Sequence, residues 1–156
     1  MKTKILYLTL LLFSSLIATD IITPTKHNKN LTLKDIAEIQ PGLGTIMVEF
    51  GHRFYTLYYA SKGGNWELAK YQLHEMIEAS EVAEITRPKY KKQLKEFEDT
   101  YLSKLKKTIK QKDFKNFKKA YTQTTISCNN CHKINGHNYI RYKLPKNPPI
   151  YLDMTK

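Results

Sequence analysis

The chain has 156 residues, with 26 Lys and Arg against 14 Asp and Glu, a formal net charge of +12, and only two cysteines. That length suffices for one domain with a real core. The basic balance suits acidic protein surfaces, anionic lipids or an anionic cofactor; nucleic acid is argued against by the export signal that opens the chain.

The first twenty residues read MKTKILYLTLLLFSSLIATD. Lys2 and Lys4 form a short positive region, Ile5 to Ile17 are almost wholly apolar, and Ala18 supplies a small residue before a cut. This is the pattern of a cleaved secretory signal over residues 1–18, because the apolar run is shorter than the roughly 20 residues that span a bilayer. No cysteine follows it, which argues against a lipid anchor. Residues 19–40 read as a flexible leader ending in a short helix. Thr32 and Asp35 match a capping box, and Pro41 and Gly42 break the helix near Gln40.

From residue 43 the period is helical. Leu43, Ile46, Met47, Phe50, Phe54, Leu57 and Tyr58 share one face. Gly63 and Gly64 supply a left-handed stop, and Asn65 caps the next helix. The second helix carries Trp66, Ala69, Leu73, Met76, Ser80 and Ala83 at spacings of 3 and 4, and ends near Thr86 ahead of Pro88. The third carries Tyr90, Leu94, Phe97, Tyr101, Leu105 and Thr108. The fourth starts after Asp113 and carries Phe114, Phe117, Tyr121, Thr124, Cys128 and Cys131, so both cysteines continue its buried stripe. Short loops force antiparallel neighbours. The expected fold is all-α, an up-down antiparallel four-helix bundle over residues 41–142, followed by an irregular, proline-rich tail over 143–156 (PKNPPIY at 145–151) lying on the surface.

Both cysteines fall within Cys128-Asn129-Asn130-Cys131-His132. A bridge between them would close a tiny loop and constrain little of the unfolded chain. Cys-x-x-Cys-His is instead the attachment signal of c-type haem. Two thiols add to the two vinyl groups of one porphyrin, and the adjacent imidazole is offered to the iron. One helical turn separates Cys128 from His132, so both address the same ring. Attachment of this kind takes place outside the bacterial cytoplasm, in agreement with the signal peptide and a periplasmic location. Two rivals stand beside it. A redox dithiol needs a βαβ setting that the chain lacks. A zinc site would use Cys128, Cys131 and His137 with His132, but neighbouring Cys131 and His132 strain a tetrahedron, and a second ligand pair is missing.

A signal peptide, four amphipathic helices and CNNCH on the last helix resemble the cytochrome c′ class, the four-helix-bundle c-type cytochromes. The stretches YYASKGGNWELAKYQLHEM (58–76) and TRPKY (86–90), with CNNCH, are also similar to small exported bacterial cytochrome c-like proteins. The bundle resemblance covers about residues 41–133, and its one specific motif is CNNCH. It implies one covalent haem c on Cys128 and Cys131, with His132 as axial ligand. The chain departs from that class in its end: 24 residues follow His132, and they are expected to cover the haem edge or its proximal side.

The second axial position separates an electron carrier from a binder of nitric oxide or carbon monoxide. The distal candidates are Met47 and Met76 on apolar faces and Met154 looping over from the tail. Phe50 and Phe54 suit an apolar distal wall. His27, His52, His74 and His137 read as leader or surface residues. The lysines at 104, 106, 107, 110, 112, 115, 118 and 119 form a face that, near the haem end, would steer an acidic redox partner. A homodimer is the other partner the pattern allows. The expected function is periplasmic electron transfer, with no enzymatic activity, since neither a Ser/His/Asp set nor a phosphate-cradling glycine loop is evident.

Overall fold

The computed structural model describes Thr23–Pro24 and residues 30–155. The expected signal peptide and His27 lie outside the described residues. The chain divides into two compact units between Gln40 and Pro41.

In the first unit, strand β1 (Thr23–Pro24) pairs antiparallel with β2 (Asn30–Leu31), Thr23 opposite Leu31. Helix α1 (Leu33–Glu38) follows. Thr32 caps it: Oγ1 accepts from the Asp35 N–H at 3.1 Å, and the Asp35 carboxylate accepts from the Thr32 N–H at 2.9 Å. The helix stops short of the expected Gln40, since Pro41 disfavours helical backbone in the residue before it.

The second unit is a helical bundle. Its elements are α2 (Leu43–Gly63), α3 (Trp66–Thr86), a 3₁₀ turn (Pro88–Tyr90), α4 (Lys91–Phe97), a π turn (Glu98–Leu102), α5 (Ser103–Lys110) and α6 (Phe114–Ile134). The segment from Pro88 to Lys110 is helical throughout, so four rods pack antiparallel. The stops are those the residues dictate. Gly64 sits in the left-handed region at φ 85° and its N–H bonds the Ala60 and Ser61 carbonyls. Asn65 Oδ1 accepts from the Leu68 N–H at 3.1 Å, and Asp113 Oδ1 from the Asn116 N–H at 3.0 Å. α2 and α3 pack most extensively. Arg53 ties them on the outside, with its guanidinium 2.7 Å from Glu49 and 3.3 Å from Glu75.

Phe54 and Leu57 of α2, Leu73 and Met76 of α3, Leu102 and Leu105, and Phe117 and Tyr121 of α6 form the main core. A smaller cluster of Ile46, Ala83 and Leu94 closes one end. The expected stripes of α2, α3 and α6 are the buried ones. The third rod differs: Leu102 is fully buried, whereas Tyr101 is half-buried. The π turn accommodates one extra residue per turn, which rotates the seam so that Leu102 replaces Tyr101 on it.

The tail belongs to the same compact unit as the bundle. Tyr59 Oη donates to the Pro145 or Lys146 carbonyl at 2.8 and 2.6 Å, and Tyr55 Oη to the Asn147 carbonyl at 2.6 Å. Met154 is buried in the main core, and Thr155 pairs with Gly64. Gly63 leaves room for this: a Cβ there would lie 2.1 Å from the Met154 carbonyl oxygen. Among the described residues, no helix is long and apolar enough to cross a membrane.

Candidate functional site

At the end of the bundle where α2 begins and α6 finishes, the rods part around a cavity of about 500 Å³. That volume lies within the roughly 300–1,000 Å³ of small-molecule and cofactor sites. α6 contributes Cys128, Cys131 and His132 to one wall. α2 contributes a second wall, with Gly44, Met47, Val48 and Gly51, flanked by Phe50 and Phe54. Phe97, Leu94 and Tyr90 close a third side, and residues 137 and 139–142 cover the fourth.

The covering segment is returned by a specific turn. Past the end of α6, Gly136 adopts φ 82°, a conformation that glycine takes without strain. The His137 N–H then bonds the His132 carbonyl at 2.8 Å, and the Ile140 N–H bonds the His137 carbonyl at 2.9 Å. Two side chains of the CNNCH run hold the loop down. Asn129 Oδ1 accepts from the Tyr142 N–H at 2.7 Å, while its Nδ2 donates to the Tyr142 carbonyl at 3.2 Å. His132 Nδ1 lies 2.9 Å from the Ile140 carbonyl oxygen. A carbonyl only accepts, so this contact requires the proton on Nδ1, and in the neutral imidazole it leaves the Nε2 lone pair free. Metal-bound histidines are oriented in this way by the hydrogen bond of their other ring nitrogen.

The thiols are free. Burial pushes the Cys128 thiol up to about 12, with the neighbouring Cys131 adding to it. Burial also raises Cys131, opposed by the Asn135 amide. Cys131 Sγ lies 3.7 Å from Gln93 Oε1 and 3.6 Å from Asn135 Nδ2, and Asn135 Nδ2 bonds Gln93 Oε1 at 2.8 Å. Both groups are therefore neutral thiols, unlike the acidic thiols of dithiol oxidoreductases. Deeper in, Tyr121 Oη meets the Phe54 carbonyl at 3.1 Å and Tyr142 Oη at 2.8 Å. Burial pushes the Tyr142 phenol up to about 12 and Tyr121 strongly upward.

The α2 wall carries two glycines. A Cβ built on Gly44 or on Gly51 meets nothing within 4 Å, so both glycines open onto the cavity. Between them in the helix stands Met47. Ser80 of α3 also lines the cavity, and its fully buried Oγ has no hydrogen-bond partner. Elsewhere in the bundle Thr56, Thr86, Thr122, Thr124 and Thr125 bond back to the carbonyl four residues earlier.

The structure thus brings Cys128, Cys131, His132 and Met47 to one cavity, with Phe50 and Phe54. Met76 is in the core but not on the cavity wall, and Met154 packs against Gly63 at the other end of α2. His74 pairs with Glu78 at 3.2 Å, and His52 stacks on Tyr151. His137, read as a plain surface residue, does line the mouth, with Nδ1 3.0 Å from Tyr139 Oη. Among the described residues, no group of three or more His, Cys, Asp or Glu side chains is placed to hold a bare metal ion. The lysines expected near this end are not there. They lie on α5, at Lys112 just beyond its end and on the first turns of α6, and even Lys119 is nine residues, about 14 Å of helix, from Cys128. Sequence reasoning missed Gly44, Gly51 and Ser80; the two glycines, seven residues apart inside a helical run, were the available signal.

The chain matches no known protein family, no curated protein and no solved structure.

Proposed function

We propose that the chain is an exported c-type cytochrome that carries one haem in this cavity and serves periplasmic electron transfer. The observation that carries the reading is the His132 imidazole, held by the Ile140 carbonyl with Nε2 free, on the same cavity wall as two neutral thiols. Cys128 and Cys131 would hold the porphyrin, each S–H adding across one vinyl C=C to leave a thioether. His132 would take one axial position. When bound, haem supplies an iron that changes by one electron. The chain's own residues set the conditions: the apolar walls exclude water, the loop over 137–142 orients the imidazole, and Gly44 and Gly51 leave space for a flat ring.

Met47 is the one methionine lining the cavity; its thioether would close the iron when haem is bound, which favours electron transfer. A second reading, capture of nitric oxide or carbon monoxide at an open iron, draws support from Ser80, which lines the same cavity and whose buried hydroxyl has no hydrogen-bond partner. Visible spectra separate them. The chain, produced in cells with an active haem-attachment system, is expected to carry the mass of one haem and sharp α and β bands when reduced. Met47→Leu should then turn the iron high-spin and reactive to carbon monoxide. A wild-type spectrum that is already broad and shifts with carbon monoxide gives the gas-binding reading. A colourless, folded product rejects both.

A further inference from the structure

Six tyrosines run from the cavity to the surface through successive contacts. Tyr142 lines the cavity and meets Tyr121 hydroxyl to hydroxyl at 2.8 Å. The Tyr121 ring lies 4.9 Å from that of Tyr58, Tyr58 lies 5.3 Å from Tyr59, and Tyr59 lies 5.6 Å from Tyr55. From Tyr55 the path continues 6.3 Å to His52, which stacks on Tyr151 at 5.8 Å. We propose that this column is a redox relay: it carries oxidising equivalents out of the cavity to Tyr151, so that hydrogen peroxide reaching the haem is reduced at the expense of tyrosine O–H groups. The proposal rests on the haem reading above.

Packing alone explains buried rings, but not how these hydroxyls are partnered. Oxidising a tyrosine removes an electron from the ring and makes the phenol proton strongly acidic, so the oxidised state rests where a base can take that proton. Tyr121, Tyr59 and Tyr55 face backbone carbonyls, which accept a hydrogen bond but do not hold a proton. Tyr151 is hydrogen-bonded to His52 Nε2, an imidazole nitrogen that can. Tyr151 is also 60% exposed, open to an external reductant. The electron thus enters from the surface end and the oxidised site settles at Tyr151. The balance is complete: over two passes, two tyrosine O–H groups give two electrons and two protons, the peroxide O–O bond breaks, and two waters form. A thiol in solution restores each tyrosine by giving back one electron and one proton, and the two thiyl radicals left after two passes couple to a disulfide.

The test uses the holoprotein, its haem first verified by visible absorption. Hydrogen peroxide is added, tyrosyl radical is followed by freeze-quench electron paramagnetic resonance, and oxidised residues are mapped by mass spectrometry. The mark is expected on Tyr151. Tyr121→Phe, which keeps the ring and removes the hydroxyl, should lose that mark and bleach its haem faster. Tyr142→Phe, at a half-buried position, should do the same and serves if Tyr121→Phe folds poorly. Tyr71→Phe, beneath Arg53 and outside the column, should match the wild type. Equal marking of Tyr151 in the Tyr121 and Tyr142 variants would overturn the relay while leaving the haem reading intact. A protein without haem absorption would overturn both before peroxide is added.

Discussion

Asn129 is one of the two side chains that hold the loop over the cavity, and the strength of its hold is open to measurement. Asn129 faces the backbone of Tyr142 as a strand would, accepting from its N–H at 2.7 Å and donating to its carbonyl at 3.2 Å. Each neutral hydrogen bond contributes about 0.5–1.5 kcal/mol net, so Asn129→Ala should destabilise the closed loop by about 1–3 kcal/mol, roughly a 5- to 150-fold shift toward opening. The bundle core does not depend on this contact, so the effect should be local opening rather than global unfolding. Hydrogen exchange at the Tyr142 amide reads it directly. Asn129→Asp retains the acceptor and loses the donor, and should fall between wild type and Asn129→Ala. The same opening withdraws the Ile140 carbonyl from His132 Nδ1. An unchanged Tyr142 exchange rate in Asn129→Ala would show that other contacts hold the loop, and the account of imidazole orientation given above would fall with it.

Three further outcomes follow from single residues. Gly51→Ala should stabilise the haem-free protein by about 1 kcal/mol in urea denaturation, since alanine favours helix over glycine and its Cβ meets nothing within 4 Å; Gly51→Leu should fold equally well but take up little haem, as judged by absorption per mole of protein. Gly63→Ala should have the opposite sign, because its Cβ would collide with the Met154 carbonyl, and limited proteolysis should then cut within residues 145–155. Asp113 titrates below the usual carboxylate range, chiefly because its carboxylate accepts from the Asn116 N–H. Its folded value lies below its unfolded one, so its contribution is complete above about pH 4 and is lost as the pH falls through the folded value. Asp113→Asn keeps an acceptor without a charge, and its melting temperature should fall less steeply than that of the wild type on acidification.

Helical stripes, caps and stops were legible because each depends on residues within one or two turns. Gly64, Asn65 and Asp113 act on their immediate neighbours, and the apolar spacing of α2, α3 and α6 marks which face is buried whatever it is buried against. CNNCH was legible for the same reason: its spacing on a helix places two thiols and an imidazole together without help from elsewhere. The third rod was misread at Tyr101 because a π turn breaks the assumed period. Glu98, within that turn, has a buried Oε2 without a hydrogen-bond partner and pairs with Lys95 at 3.1 Å through its other oxygen.

What the tertiary structure decided is the company these residues keep. Only the fold brings Met47 to the same cavity as His132, sends Met154 to Gly63, and moves the lysine face away from the cavity. Only the fold brings residues 137–142 back over α6 and lays the tail on Tyr55 and Tyr59. The reason is physical: those last residues have no apolar period of their own. Hydrogen bonds from side chains far away in sequence, with the burial of Met154 and the pairing of Thr155 with Gly64, fix their position, and such partners exist only once the helices have packed.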